Sequence, residues 1–217
     1  NPAPDKASSV PVSLIGLPYL MGTRALNTMY GMAQGPVVML EPQNAPKALR
    51  SYFRDVEVTM IDNVDEPQPP LPQGDQMARI LAENIALAAA VTSARSRGRL
   101  PIASIGTCSA TLGMVGGLGD TQDEVGMLWF DAHSDAATAD TTRSGFIEGM
   151  VVPMIAGTSY PAYCRQSPGF KPIPASRIIS VSLGSTPWSI PPDGAPPVGT
   201  PVHKMEIARL GLDSTLG

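Results

Sequence analysis

The stretch WFDAHSD, residues 129–135, ends an apolar run that starts at Val125 and is typical of a buried β-strand. Directly after this run, the chain presents two carboxylates and one imidazole at Asp131, His133 and Asp135. In α/β sheets, ligands bind beyond the carboxyl ends of the strands, so this position suits a bound cation. Carboxylate oxygens and a neutral imidazole favour Mn²⁺, Fe²⁺ or Zn²⁺. Alternatively, the aspartates could cap a neighbouring helix at a polar strand end.

The rest of the sequence predicts strands that alternate with helices. Predicted strands cover residues 12–17, 56–61, 101–105, 125–130 and 177–183, and predicted helices cover residues 75–98, 110–115 and 202–210. The clearest helix starts at Asp75, which can cap it, and ends at Gly98. This alternation predicts an α/β fold with a mostly parallel central sheet flanked by helices. We expect a flexible arm at residues 1–10, a single domain at 11–217 and a stiff proline-rich connector at 67–72.

The composition is that of a slightly acidic chain with enough apolar residues for a core. The 217 residues carry a net charge of −4, and 43% of them are hydrophobic. An acidic chain with scattered charges argues against nucleic-acid binding. No continuous apolar run reaches the roughly 18–20 residues of a membrane span, so we expect no membrane contact. Two cysteines, Cys108 and Cys164, are too few for a disulfide scaffold.

A longer motif surrounds the carboxylate–histidine group. DAHSD at 131–135 is followed by Thr138 and by SGFIEGM at 144–150. This order resembles the ureohydrolase (arginase/agmatinase) family, whose members carry Asp-Ala-His-x-Asp, a Thr three residues on, and then Ser-Gly-x-x-His-Gly. GTCS at 106–109 occupies the slot of the family's Gly-Asp-His-Ser motif. Weaker matches, such as LIGLPY at 14–19, extend the resemblance in order over most of the chain.

The resemblance implies a three-layer arginase-like α/β fold and a hydrolase that cleaves a C–N bond of a small guanidine or amidine substrate. It also implies a pair of Mn²⁺ ions, which lower the pKa of bound water. Asp131 would bridge the two ions, His133 would bind one of them and Asp135 the other. Ser144 and Thr138 match substrate-binding positions. Family members are commonly trimers or hexamers, so we expect this chain to form an oligomer. We also expect the protein to be cytoplasmic.

Two residues at the predicted site depart from the family pattern. Cys108 stands where the family has a metal-binding His, and a thiolate at that place would favour Zn²⁺ or Fe²⁺ over Mn²⁺. Cys108 could also be a small buried apolar residue. Glu148 stands where the family has a proton-shuttling His. With Asp135 it forms the predicted catalytic pair. Alternatively, Glu148 could add a metal ligand, hold a cationic substrate or be a solvated loop carboxylate.

A third departure concerns the family's second metal motif, a strand bearing Asp-x-Asp. The sequence does not contain it after residues 202–212, so we expect an arginase-like domain whose C-terminal part is missing. Without that motif, too few ligands remain for two ions. The leading hypothesis is a metal-dependent amidinohydrolase, or the N-terminal part of one. A second polypeptide could supply the Asp-x-Asp strand, the chain could be a fragment, or metal binding could have been lost. The alternative is a non-catalytic, ureohydrolase-like subunit that binds a partner chain and holds no metal pair.

Overall fold

A computed structural model of the chain describes residues 7–24, 31–62, 64, 75–119, 125–131, 133–182 and 213–214. The chain divides into two compact units. The first unit comprises residues 1–119 with 167–170, and the second comprises residues 120–166 with 171–217. The predicted connector at 67–72 and the predicted helix at 202–210 lie outside the described residues.

The first unit holds five of the described strands and four helices. Its strands are β1 (Val12–Leu17), β2 (Tyr19–Leu20), β3 (Thr23–Arg24), β4 (Val56–Met60) and β5 (Leu100–Ile105). Its helices are α1 (Gly35–Met39), α2 (Ala45–Arg50), α3 (Gln76–Ser96) and α4 (Thr111–Leu118), with 3-10 turns at Met32–Gln34 and Cys108–Ala110. The main sheet is parallel, in the order β4-β1-β5, and β2 and β3 form an antiparallel pair.

The second unit is built in the same manner around a smaller sheet. Its strands are β6 (Met127–Asp131), β7 (Ile178–Ser182) and β8 (Asp213–Ser214), and its helices are α5 (Val151–Ile155) and α6 (Pro161–Cys164). Two 3-10 turns lie at Ile147–Met150 and Ala175–Arg177. The sheet is parallel, in the order β6-β7-β8. Parallel strands require crossover connections, which agrees with the predicted βαβ alternation.

Helix α3 packs on the main sheet of the first unit. Asp75 caps its first turn, since the side chain accepts a hydrogen bond of 2.9 Å from the backbone N–H of Ala78. Leu87 and Val91 of α3 are fully buried against β1. Helix α3 is also long and apolar enough to cross a membrane, but the core helix of a soluble protein meets the same criteria of length and mean hydropathy. Its packing on the sheet is that of a core helix.

Small residues allow α4 to approach α3 closely. A Cβ on Gly117 would lie 2.4 Å from Cβ of Val91, and one on Gly113 would lie 2.7 Å from the carbonyl oxygen of Asn84. The buried Asn84 side chain joins the two helices, because it donates to the Ile80 carbonyl at 2.8 Å and accepts from the Gly113 N–H. One of the unpaired donors in the first turns of α4 is thereby satisfied.

Five polar side chains form an ion-pair cluster at the amino ends of the first unit's strands, called here the amino-end cluster: Ser13, Asp55, Glu57, Arg97 and Arg99. The Arg99 guanidinium binds both carboxylate oxygens of Asp55 at 2.8 Å and the Val12 carbonyl at 2.8 Å. The hydrogen bond from Arg99 lowers the pKa of Asp55, and the Ser13 hydroxyl is the main cause of the lowered pKa of Glu57. The cluster ties β1 to β4 and to the start of β5.

The predicted N-terminal arm is anchored at one of its residues. Ser8 forms a parallel bridge with Phe53; its N–H donates to the Tyr52 carbonyl at 2.7 Å, and its carbonyl accepts from the Arg54 N–H at 3.1 Å. Ser8 is therefore held by the segment that precedes β4, which differs from the flexible arm predicted for residues 1–10. Residues 1–6 lie outside the described part of the chain.

Candidate functional site

Strand β6 delivers the first candidate ligand at its last residue, Asp131. Side chains alternate along a strand, so Trp129 and Asp131 share one face, while Leu128 and Phe130 lie on the other. Leu128 is 63% exposed and Phe130 is 71% exposed. The prediction of a fully buried strand is wrong on this face, because the neighbouring segments cover only the face that bears Asp131. The exposed residues of β6 are apolar like their partly buried neighbours, so the sequence does not show which side chains face solvent.

Asp131 and His133 lie side by side directly after β6. One Asp131 carboxylate oxygen accepts the backbone N–H of His133 at 2.9 Å and lies 3.5 Å from His133 Nδ1. Both side chains are 27% exposed, so a ligand from solvent can reach them. The structure thus brings these two candidate ligands together within this unit, and their role as metal ligands stays a prediction.

Asp135 is buried and has an unusual backbone. Its φ angle is +46°, in the left-handed region that few non-glycine residues adopt. Its carbonyl accepts the Val152 N–H at 3.1 Å, which ties this turn to the start of α5. The residue is 8% exposed, so its carboxylate lies largely away from solvent. A left-handed aspartate that is also buried is held in place by its surroundings, as residues at functional sites often are.

Glu148 is also 8% exposed and lies in the 3-10 turn Ile147–Met150. The alternative of a solvated loop carboxylate is therefore wrong. The Ala137 N–H donates to the Gly149 carbonyl at 3.1 Å, next to the bond between Asp135 and Val152. These two hydrogen bonds hold the backbone that follows Asp135 against the backbone that follows Glu148.

The hydrogen bond between Ala137 and Gly149 also closes the base of a surface loop, residues 137–149, called here the 137–149 loop. Thr138 is 3% exposed, and its hydroxyl lies 3.1 Å from that of Thr141. It therefore shapes the loop from within, and its predicted contact with substrate stays a prediction. Ser144 is exposed at the far end of the loop, where its hydroxyl accepts the Phe146 N–H at 3.2 Å.

Cys108 lies in the first unit, at the start of the 3-10 turn that follows β5. Its side chain is partly exposed, unlike a fully buried apolar residue, and it forms no disulfide. Thr107 and Ser109 on either side are buried, and their hydroxyl oxygens are 2.8 Å apart. The carboxyl end of β5 therefore presents a thiol at the edge of a parallel sheet where ligands bind in α/β folds.

The donor atoms of the second unit fit a divalent cation of borderline hardness. Asp131 and Asp135 offer carboxylate oxygens and His133 offers an imidazole nitrogen, a set that suits Mn²⁺, Fe²⁺ or Zn²⁺. Glu148 adds a buried carboxyl that can exchange a proton. The fold and these donor atoms together define a class of protein: a parallel α/β protein with a candidate metal site at the carboxyl edge of its sheet.

Comparison with known proteins narrows this class to one family. The model of the arginase family matches residues 10–167, and the chain belongs to that family. Arginase from Bacillus caldovelox is 31% identical over 169 residues, which cover 75% of this chain and 55% of that protein. Human arginase-1 is 26% identical over 156 residues, covering 69% of this chain and 45% of that protein. The chain thus spans about half the length of these relatives.

Solved structures show the same fold. The native arginase structure from Bacillus caldovelox aligns with a TM-score of 0.70 at 27% identity, covering 94% of this chain and 64% of that one. Entamoeba histolytica arginase in complex with L-ornithine aligns with a TM-score of 0.68 at 22% identity, covering 96% of this chain and 64% of that one. The predicted arginase-like α/β fold is confirmed.

Proposed function

We propose that this chain carries the metal-binding part of an amidinohydrolase, a hydrolase that cleaves a C–N bond of a guanidine or amidine. The observation that carries the proposal is the burial of Asp135 and Glu148 in adjoining backbone segments, beside the Asp131–His133 pair. A metal site next to a separate acid–base carboxyl is what this hydrolysis needs. Membership of the arginase family supports the same reaction class.

Asp131, His133 and Asp135 would hold the metal. When bound, divalent ions such as Mn²⁺ would supply a nucleophile at neutral pH, which the weakly electrophilic amidine carbon requires. Zn²⁺ or Fe²⁺ would be favoured if Cys108 is a further ligand, because thiolate is a poor ligand for Mn²⁺. Alkylation of Cys108 tests that role: bound metal should protect the thiol, and unchanged alkylation with metal bound would remove Cys108 from the ligand set.

Glu148 would move the proton. Hydrolysis forms a C–O bond and breaks a C–N bond, and the departing nitrogen must gain a proton to leave as a neutral amine. A carboxyl that is 8% exposed can exchange this proton without competition from bulk water. Asp135 would have two roles: its carboxylate would bind the metal, and its fixed backbone would help to orient the reacting groups. Ser144 and Thr138 would help to position a small guanidine or amidine substrate.

Three variants test the assignment of roles. Asp131→Ala should abolish metal binding, whereas Glu148→Gln should leave the metal content unchanged and lower turnover, since the amide cannot exchange the proton. Asp140→Asn is the matched control, because Asp140 is an exposed carboxylate on the same loop. Metal content is measured by mass spectrometry of the purified chain, and turnover by release of urea or amine. A Glu148→Gln variant of unchanged rate would remove Glu148 from the mechanism.

A second candidate is a non-catalytic subunit that binds a partner chain. The exposed apolar side chains on one face of the β6–β7 pair, Leu128, Phe130 and Ile179, favour it, because contiguous exposed apolar residues mark protein-binding surfaces. A partner could also supply an Asp-x-Asp strand and complete the metal site. Less than one equivalent of metal in the purified chain would favour this candidate over the enzyme, and a second polypeptide that co-purifies without restoring metal, detected by intact mass, would support it further. An oligomer and a cytoplasmic location stay predictions.

A further inference from the structure

We infer that the side chains of Trp129 and Ser180 bind one buried water molecule in the second unit, on the face of its sheet that bears Asp131. Trp129 lies on β6 and Ser180 on β7, and the two residues are paired in the parallel register of these strands. The inference does not rest on the proposed function, because neither a metal nor a substrate takes part in this site.

Both residues have a buried polar atom that lacks a protein partner. Ser180 is 1% exposed, and its hydroxyl oxygen makes no hydrogen bond to any described residue. The indole nitrogen of Trp129 is buried too, and it finds no acceptor in the described part of the chain. A buried donor that loses its hydrogen bond to bulk water without a replacement costs free energy, so such groups are nearly always satisfied by protein or by ordered water. Two unpaired atoms of this kind point to a ligand that pairs with both.

The register of β6 and β7 brings the two side chains to one place. Neighbouring strands lie about 4.8 Å apart, and paired residues point to the same face of the sheet. Trp129 and Ser180 therefore leave the sheet on the side opposite the exposed residues Leu128, Phe130 and Ile179. Two hydrogen bonds of about 2.8 Å each span about 5.5 Å, which is comparable with the strand spacing. One water molecule can therefore bridge polar atoms on paired residues of these strands.

Hydrogen-bonding chemistry selects water as the ligand. The indole N–H can only donate, so the ligand has to accept a hydrogen bond from Trp129, whereas the Ser180 hydroxyl can donate or accept. A cation cannot accept the indole proton. An anion would be repelled by the carboxylate of Asp131, which lies on the same face of β6 two residues further on. Water accepts and donates, and it commonly satisfies buried polar groups in this way.

A crystal structure and an unfolding series test the water site. A high-resolution crystal structure of the full chain should show one ordered water within about 3.2 Å of both the Trp129 nitrogen and the Ser180 oxygen. Ser180→Ala removes one partner of this water and leaves the indole N–H without its acceptor. We therefore expect it to raise the equilibrium constant for unfolding about fivefold in urea titrations. If no water binds, the same substitution removes an unpaired hydroxyl, and the constant should fall instead.

Two further variants complete the design. Trp129→Phe keeps an aromatic ring but removes the N–H, so Ser180→Ala in that background should raise the unfolding constant by no more than about twofold, because the bridge is already broken. Ser176→Ala, at an exposed serine just before β7, should change the constant by about twofold at most. An ordered anion in place of the water, no density between the two atoms, or an unfolding constant that Ser180→Ala leaves unchanged or lowers would overturn the inference. Equal effects of Ser180→Ala in the two backgrounds would do the same.

Discussion

Replacing Asp135 by glycine and by alanine isolates the backbone strain at the candidate site. Both substitutions remove the carboxylate, so they differ only in what the backbone tolerates at a φ angle of +46°. A β-carbon in the left-handed region costs about 1–2 kcal/mol, which glycine avoids. Glycine loses about 0.5–1 kcal/mol through its greater freedom in the unfolded chain. The Asp135→Gly chain should therefore be more stable than the Asp135→Ala chain by about 1 kcal/mol.

A position in an ordinary helix provides the control, because there alanine should be more stable than glycine. Ala89 lies on the exposed side of α3, where Ala89→Gly should destabilise the chain by about 1 kcal/mol. Urea unfolding followed by circular dichroism, with a chelator present to remove metal, measures both differences. Metal content measured separately should fall in both Asp135 variants. If Asp135→Gly is no more stable than Asp135→Ala, the backbone at this position is not strained and the argument from strain to function fails.

Three further predictions concern packing, acid stability and thiol reactivity. Gly117→Ala should lower the free energy of unfolding by about 1–2 kcal/mol in urea titrations, because the new methyl group meets Val91 at 2.4 Å and overpacking outweighs the gain in helix propensity. Because the pKa values of the carboxylates in the amino-end cluster are lowered, these groups stabilise the fold above about pH 4.5, and this stability is lost as the pH falls below that value. Arg99→Met should therefore flatten the dependence of the free energy of unfolding on pH. Iodoacetamide at pH 8 should label Cys108 before Cys164 by peptide mass spectrometry, because burial raises the pKa of Cys164 to about 11.

The first two of these predictions have a matched control variant. Gly149→Ala places a methyl group in open space in the 3-10 turn Ile147–Met150, so it should not destabilise the chain. Arg54→Met removes an exposed arginine outside the amino-end cluster and should leave the pH dependence unchanged. High salt should weaken the effect of Arg99, since the side chain of its partner Asp55 is 60% exposed. Equal labelling rates of the two thiols would contradict the burial of Cys164.

Local patterns made much of the fold predictable. The apolar run at 12–17 forms β1 with the predicted bounds, and Asp75 caps α3 as its side-chain chemistry requires. Both outcomes depend on neighbours in sequence: apolar continuity in the first case and a side chain three residues from its donor in the second. The shorter α4, predicted at 110–115, extends to Leu118 because Gly116 and Gly117 pack against neighbouring backbone and side chains, a tertiary contact that propensity does not register.

The sequence proposes the candidate site residues, but it does not predict the environment in which the structure places them. The motif identifies Asp131, His133 and Asp135, but the left-handed backbone of Asp135 depends on a partner at Val152, well outside the motif. The burial of Glu148 likewise follows from the packing of a whole loop.

The burial of two carboxylates in adjoining segments bears directly on the choice between enzyme and non-catalytic subunit. Asp135 and Glu148 each keep 8% exposure, and buried like charges cost free energy unless hydrogen bonds, a proton or a cation offset them. A cation held by Asp131, His133 and Asp135 offsets the charge of Asp135 directly. In a subunit without metal, the left-handed backbone of Asp135 would lower stability without positioning a metal ligand. The strain at Asp135 therefore supports the proposed metal site.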